Sequence, residues 1–80
     1  MLGQPKFDYG DVVSFAINAE DQQYVLKGTI SVVDKWGSFG YNEDVSYDIM
    51  VQNSHLHDGV PCLYKHIPES LVVLIEKKTN

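Results

Sequence analysis

The chain has 80 residues, of which 44% are hydrophobic and 21% charged, and this composition is typical of one small folded domain rather than of a disordered segment. Eleven acidic residues outnumber six lysines, there is no arginine, and the formal net charge is −5. Five of the lysines are scattered along the sequence with acidic residues between them, at Lys27, Lys35, Lys65, Lys77 and Lys78. Nonspecific nucleic-acid binding requires a clustered basic face, so we do not expect nucleic acid as the main partner.

The cellular setting is indicated by the cysteine count and by the N-terminal residues. Cys62 is the single cysteine, which excludes an internal disulfide framework, and the first residues lack the layout of a secretory signal. The longest apolar run, residues 71–75, is far shorter than the roughly 20 residues that cross a bilayer. We therefore expect a cytoplasmic protein that does not contact membranes.

Alternation of apolar and polar residues predicts a chain made of short strands. In chain order, the predicted strands cover residues 11–19, 24–33, 45–52, 62–67 and 71–75. Gly28 suggests a bulge or a sharp bend inside the second strand, and Pro68 begins a tight turn before the last one. No segment has the apolar spacing of an amphipathic helix, so we expect an all-β domain.

Closure of these strands into a barrel is expected, because an open five-stranded sheet of this size would bury too little apolar surface. The prediction is a single small β-barrel domain over residues 1–80, with an ordered core at about residues 8–76. Its predicted interior is Val13, Phe15, Ile17, Leu26, Ile30, Val32, Val45, Ile49, Val51, Leu63, Ile67, Val73 and Ile75.

Three segments carry a resemblance to a known superfold. Residues 9–15, YGDVVSF, followed by residues 27–34, KGTISVVD, resemble the opening of Src-homology-3-like barrels of the KOW, Tudor and bacterial kinds. Residues 67–75, IPESLVVLI, look like the close of the same barrel. The resemblance implies a five-stranded Src-homology-3-like barrel with a single 3-10 turn before the last strand.

A tighter pair of runs indicates a biological context. Residues 46–49, SYDI, and 63–70, LYKHIPES, are similar to small proteins of Gram-positive bacteria and of their phages or mobile elements. Leu71 occupies the place where peptide-binding members of the superfold carry an aromatic residue, so we do not expect recognition of proline-rich peptides. A superfold hosts many functions, so the resemblance implies a context rather than an activity.

The connection between the second and third strands is the candidate binding surface. It contains Trp36, Phe39 and Tyr41, spaced by glycines, and the strands already supply a core, so we expect at least one ring to face solvent. We predict that these rings bind a protein partner of unknown identity, together with the neighbouring residues Glu43, Asp44 and Tyr64. The alternative is that the rings form a lid over the barrel end, and a cation-binding cage is a third possibility.

A second functional hypothesis is nucleic-acid association in the manner of KOW-like barrels. It would use Lys27, Lys35 and Lys65 together with stacking aromatic rings. The oligomeric state stays open, since either an edge strand or the aromatic connection could pair two chains.

Catalysis, metal binding and cofactors are not expected. His55, His57, Cys62 and His66 are potential zinc ligands, but their spacing matches no recognised zinc motif. Cys62 and His66 would lie roughly 13 Å apart along a strand, too far for a nucleophile and its base. We therefore predict a non-catalytic interaction module with no metal and no cofactor.

Overall fold

The computed structural model describes residues 2–38, 42–54 and 58–78, which form one antiparallel sheet. The strands are β1 (Val12–Ala19), β2 (Gln22–Asp34), β3 (Ser46–Ser54), β4 (Val60–Pro68) and β5 (Val72–Glu76). Their order across the sheet is β4-β3-β2-β1-β5, and a 3-10 turn at Glu69–Leu71 precedes β5. The five predicted strands and the turn before the last strand are confirmed.

The sheet is not closed into a barrel. Strands β4 and β5 are its two edges, and no ladder joins them in the described parts of the chain. Burial is achieved instead by the long strand β2, which pairs with β1 over residues 22–29 and with β3 over residues 29–34. The expected closure is therefore replaced by a sheet whose two halves share one strand.

Gly28 lies where β2 passes from one neighbour to the other. A Cβ atom at this position would stand 2.5 Å from the backbone oxygen of Met50, so only glycine allows β3 to approach this closely. The register shift that was expected near this glycine falls slightly later, between Ile30 and Val32. Both features belong to the crossing between the two halves of the sheet.

The core follows the predicted alternation in the first four strands and departs from it in β5. The buried apolar residues are Val13, Phe15, Leu26, Ile30, Val45, Tyr47, Ile49, Val51, Ile67 and Val72. Of the other predicted core residues, Ile17, Val32 and Leu63 are half-buried. Val73 and Ile75 were wrongly predicted as core, because β5 pairs Val72 with Phe15 and so turns Val73, which is 62% exposed, to the outer face.

The N-terminal segment packs over the end of the sheet where the 3-10 turn lies. Phe7 makes an edge-to-face contact with Tyr47, with the ring centroids 5.6 Å apart. The Tyr47 hydroxyl donates to Glu69 Oε2 at 2.6 Å, and the backbone N–H of Lys6 donates to the same oxygen at 3.0 Å. Burial, reinforced by the Glu69 carboxylate, raises the pKa of Tyr47 well above its usual value. These bonds fix the position of Lys6.

Within the described ranges, the structure contains no helix that is long and apolar enough to span a membrane.

Candidate partner-binding site

The Trp36 turn, which we define as residues 34–38, is held by one buried carboxylate. Asp34, the last residue of β2, is 4% exposed, and its Oδ1 accepts backbone hydrogen bonds from Trp36 at 3.2 Å, Gly37 at 2.8 Å and Ser38 at 3.1 Å. Gly37 has a φ of 74°, a conformation that glycine adopts without strain. The turn is therefore preorganised by its own sequence.

Trp36 projects from this turn into solvent, with 62% of its surface exposed. Leu2 lies next to the turn, because its backbone N–H donates to the carbonyl oxygen of Lys35 at 2.7 Å. A Cβ atom at Gly37 would lie 3.3 Å from Leu2 Cδ1, so the leucine side chain packs against the turn. Leu2 is itself partly exposed, and with Trp36 it forms an apolar surface on a fixed backbone.

The other predicted site residues lie in three kinds of position. Phe39 and Tyr41 fall outside the described residues. Glu43 is exposed, whereas Asp44 is half-buried and accepts a hydrogen bond from the Val45 N–H at 2.7 Å. Glu43 and Asp44 lead into β3 and follow Asn42, whose Cα would lie 2.9 Å from a Cβ atom at Gly37, so this stretch returns beside the Trp36 turn.

Tyr64 is engaged inside the sheet. Its ring lies 5.5 Å from that of Phe15, and its hydroxyl is 2.6 Å from the Ser54 hydroxyl oxygen. Tyr64 pairs with Ile49 of β3. The residue of β3 that pairs with Asp34, at the Trp36 turn, is Ser46. The contacts of Tyr64 are therefore those of a packing residue several positions along the sheet from the turn.

A groove beside the Trp36 turn collects lysines from three distant parts of the sequence. We call it the lysine groove; it has a volume of about 400 Å³. Its charged lining residues are Lys6, Lys35, Lys77 and Asp8, and Phe7 and Val33 line it as well. Lys6 lies in the N-terminal segment, Lys35 directly follows β2, and Lys77 directly follows β5. The fold thus brings together cations that the sequence separates.

A second groove of about 400 Å³ adjoins the first through Lys77 and is organised around Asp11. Asp11 is 1% exposed; its Oδ2 accepts from Lys77 Nζ at 2.9 Å and its Oδ1 from the Lys78 backbone N–H at 3.0 Å. Burial opposes ionisation, but these bonds and the one from the Asp8 N–H outweigh it and lower the pKa of Asp11. Lys78 Nζ lies 5.0 Å from the centroid of the Tyr9 ring.

The charge of the molecule is divided between these grooves and the remaining surface. The two grooves are lined by four lysines and two aspartates, which together carry a formal charge of +2: Lys6, Lys35, Lys77, Lys78, Asp8 and Asp11. Since the net charge of the chain is −5, the other ionisable side chains together carry −7. The scattered appearance of the lysines in the sequence was therefore misleading. Lys6, which the sequence interpretation left aside, is one of the lining residues.

The sequence holds no signal for this arrangement. Antiparallel pairing of β5 with β1 places Lys77 near Asp11. The position of Lys35 relative to Lys6 depends on the bond from Leu2 to Lys35, which no pattern in the sequence predicts.

The histidine and cysteine candidates are dispersed in the described part of the chain. His55 and His57 lie outside the described residues, Cys62 is half-buried in β4 opposite Val51, and the His66 N–H donates to Asp48 Oδ1 at 3.0 Å. Among the described residues, no three His, Cys, Asp or Glu side chains are grouped so that they could hold a metal ion.

No protein-family model, curated protein or solved structure matches this chain. The Trp36 turn and the lysine groove are therefore the features from which a function is inferred.

Proposed function

We propose that the protein is a non-catalytic interaction module of Src-homology-3-like architecture that binds a protein partner through the Trp36 turn. The observation that supports this function most strongly is the 62% exposure of Trp36 on a turn held by three hydrogen bonds to Asp34. The strand order, with β1 between β2 and β5, and the 3-10 turn before β5 support the architecture. The sequence resemblance favours a cytosolic accessory factor of a Gram-positive bacterium, or of a phage or mobile element, as its setting.

The expected contribution of Trp36 to binding is large for one residue. Covering the exposed part of a tryptophan, on the order of 150 Å², at about 25 cal/mol per Å², gives about 4 kcal/mol before the costs of association. Because Asp34 already fixes the backbone, binding does not have to order the turn. Exposed tryptophans of this kind are frequent energetic centres of protein interfaces.

The state of the polar groups near the turn favours binding over catalysis. The Asp34 carboxylate accepts three backbone hydrogen bonds, and Asp11 accepts bonds from Lys77, Lys78 and Asp8. Both carboxylates are therefore engaged in holding the backbone. The exposed groups at the turn and in the groove are the Trp36 indole, lysine ammonium groups and the Asp8 carboxylate, and an exposed indole on a fixed turn is typical of a recognition surface.

The test uses Trp36 as its own reporter, because it is the only tryptophan in the chain. A partner captured on the immobilised protein is purified and titrated against free protein, and we expect the emission of Trp36 to shift to the blue as the ring is covered. Trp36→Ala should weaken binding at least about tenfold. Val73→Ala is the matched control, since Val73 is equally exposed but lies on β5.

Two results would contradict the proposal. One is a Trp36→Ala variant that binds the purified partner as well as the wild type does. The other is a large fall in the melting temperature of this variant, which would show that the ring is part of the fold's packing and would favour the lid interpretation.

Nucleic-acid association is the second candidate function, and the lysine groove is the observation that favours it. Of the lysines that the sequence suggested for nucleic-acid binding, Lys35 lines the groove. Lys65 lies on β4, two strands away from β2. An electrophoretic shift with single-stranded and duplex probes at low salt tests it directly. A shift that weakens steeply with salt would support this candidate, and its absence at about 50 μM protein would remove it.

A further inference from the structure

We infer that the lysine groove binds the carboxylates of an acidic, extended segment of the same protein partner that covers Trp36. This inference deepens the proposed function and rests on it. The groove and the turn are neighbours in the chain, because Lys35 lines the groove and directly precedes Trp36.

Two of the three groove lysines project from backbone that is held by hydrogen bonds, and the third is held by its ammonium group. The Lys6 N–H donates to Glu69, and the carbonyl oxygen of Lys35 accepts from Leu2. Lys77 is held through its own ammonium group, 2.9 Å from the buried Asp11, while 59% of its side chain stays exposed. An anion that enters the groove therefore meets cations whose attachment points are already fixed.

Two of these cations are available to a ligand. Among the residues that the structure describes, Lys77 with Asp11 is the one ion pair within 4.0 Å, so Lys6 and Lys35 have no carboxylate partner there. Hydrogen bonds from ammonium groups to carboxylates are stronger than those between neutral groups. A ligand that presents two or three carboxylates would satisfy these lysines.

Three further grooves share lining residues with the lysine groove or with one another, and they give an extended segment room to lie along the molecule. The lysine groove shares Lys77 with the second groove, the second shares Lys78 with a third of about 450 Å³, and the third shares Met50 with a fourth of about 300 Å³. This path has cationic ends, at Lys35 and at Lys27, and Met50 offers apolar contact between them. A peptide in an extended conformation fits such a path.

Charge distinguishes an acidic peptide from a nucleic acid as the occupant. The grooves around Asp11 carry +2, whereas the remaining ionisable residues carry −7, so a long polyanion would be repelled wherever it left the groove. A base could stack on the exposed Tyr9 ring from one side only, because Lys78 stands over the other face. A peptide segment needs only its few carboxylates in the cationic region, and the rest of its length can be uncharged.

The test uses an octaglutamate peptide labelled with fluorescein, followed by fluorescence anisotropy, with octaglutamine as the uncharged probe. We expect the wild type to bind octaglutamate and not octaglutamine, and the affinity to fall several-fold between about 0.05 M and 0.2 M salt. Lys6→Glu and Lys35→Glu should each weaken binding at least about tenfold. Lys65→Glu gives the same net charge at a site outside the grooves, and it should change the affinity less than about twofold.

Three outcomes would overturn the inference. The first is that octaglutamate does not bind at about 1 mM. The second is that Lys65→Glu loses as much affinity as Lys35→Glu, which would show a response to net charge alone. The third is that octathymidylate binds more tightly than octaglutamate, which would assign the groove to nucleic acid. Each leaves the Trp36 experiment unaffected, because octaglutamate has no apolar residue to cover the indole. Conversely, if Trp36→Ala keeps full affinity for the captured partner while Lys35→Glu loses octaglutamate, the groove stands and the proposed role of Trp36 fails.

Discussion

The two buried aspartates of this protein perform related tasks over very different distances. Asp34 accepts three hydrogen bonds from residues two, three and four positions later, and through them it shapes the turn that follows it. Asp11 accepts bonds from Lys77 and Lys78, which lie 66 and 67 residues later, and so connects the two ends of the described chain. We conclude that Asp11 stabilises the fold and positions two lysines, whereas Asp34 mainly positions Trp36.

The largest expected effect is that of Asp11→Ala. This change removes a fully buried acceptor from three donors, and we expect the free energy of unfolding to fall by about 3 kcal/mol in urea titrations. Lys77→Ala is the control, because it removes one donor while both backbone donors to Asp11 remain, and it should cost less than Asp11→Ala. Equal losses in the two variants would contradict the account of Asp11.

Asp34→Ala should have a smaller effect on stability and a clear effect on the turn. Loss of a local cap of backbone N–H groups costs about 1 to 2 kcal/mol. We also expect the affinity for the captured partner to fall, although Trp36 itself is retained. If stability falls as far as in Asp11→Ala, the distinction between the local and the long-range carboxylate is wrong.

The free energy of unfolding should decrease at acidic pH because of Asp11. Because its pKa is lowered in the folded protein, the unfolded chain takes up a proton first, so the stabilisation is present above about pH 4 and is lost as the pH falls through the folded-state pKa. Urea titrations between about pH 6 and pH 2 measure this loss. The Asp11→Asn variant should show a flatter profile, and identical profiles would show that other carboxylates account for the acid response.

The smallest expected effect on stability is that of Trp36→Ala. An exposed side chain contributes little to folding, so the free energy of unfolding should change by less than about 1 kcal/mol. Thermal unfolding followed by circular dichroism checks this. A combination of unchanged stability and lost partner binding would separate the function of the turn from the fold more sharply than any other single variant.

The strand pattern could be predicted from the sequence because the first four strands alternate. In β1, for example, Val13 and Phe15 alternate with polar or small residues, and both are buried. Strand β5 is different, since its residues are apolar without alternation, and the pairing of Val72 with Phe15 decides which of them face inward. Local pattern therefore predicts the strand but not its inward face.

The candidate site was predictable only where it is local. The aromatic connection attracted attention because it contains Trp36, and the cap by Asp34 lies within the same few residues. The lysine groove depends on three segments that meet only in the folded chain, through the bonds of Lys6 with Glu69 and of Leu2 with Lys35. No spacing in the sequence reports such contacts.

The central claim is that the Trp36 turn and the lysine groove form one surface for an acidic partner segment. Amide NMR of the full chain, titrated with a peptide that alternates glutamate and leucine, tests it most directly. We predict shifts for the Trp36 indole and for Lys35, Lys6 and Lys77, with Lys65 and Val73 unchanged. Shifts confined to the outer face of β5, or no shifts at about 1 mM peptide, would contradict the account.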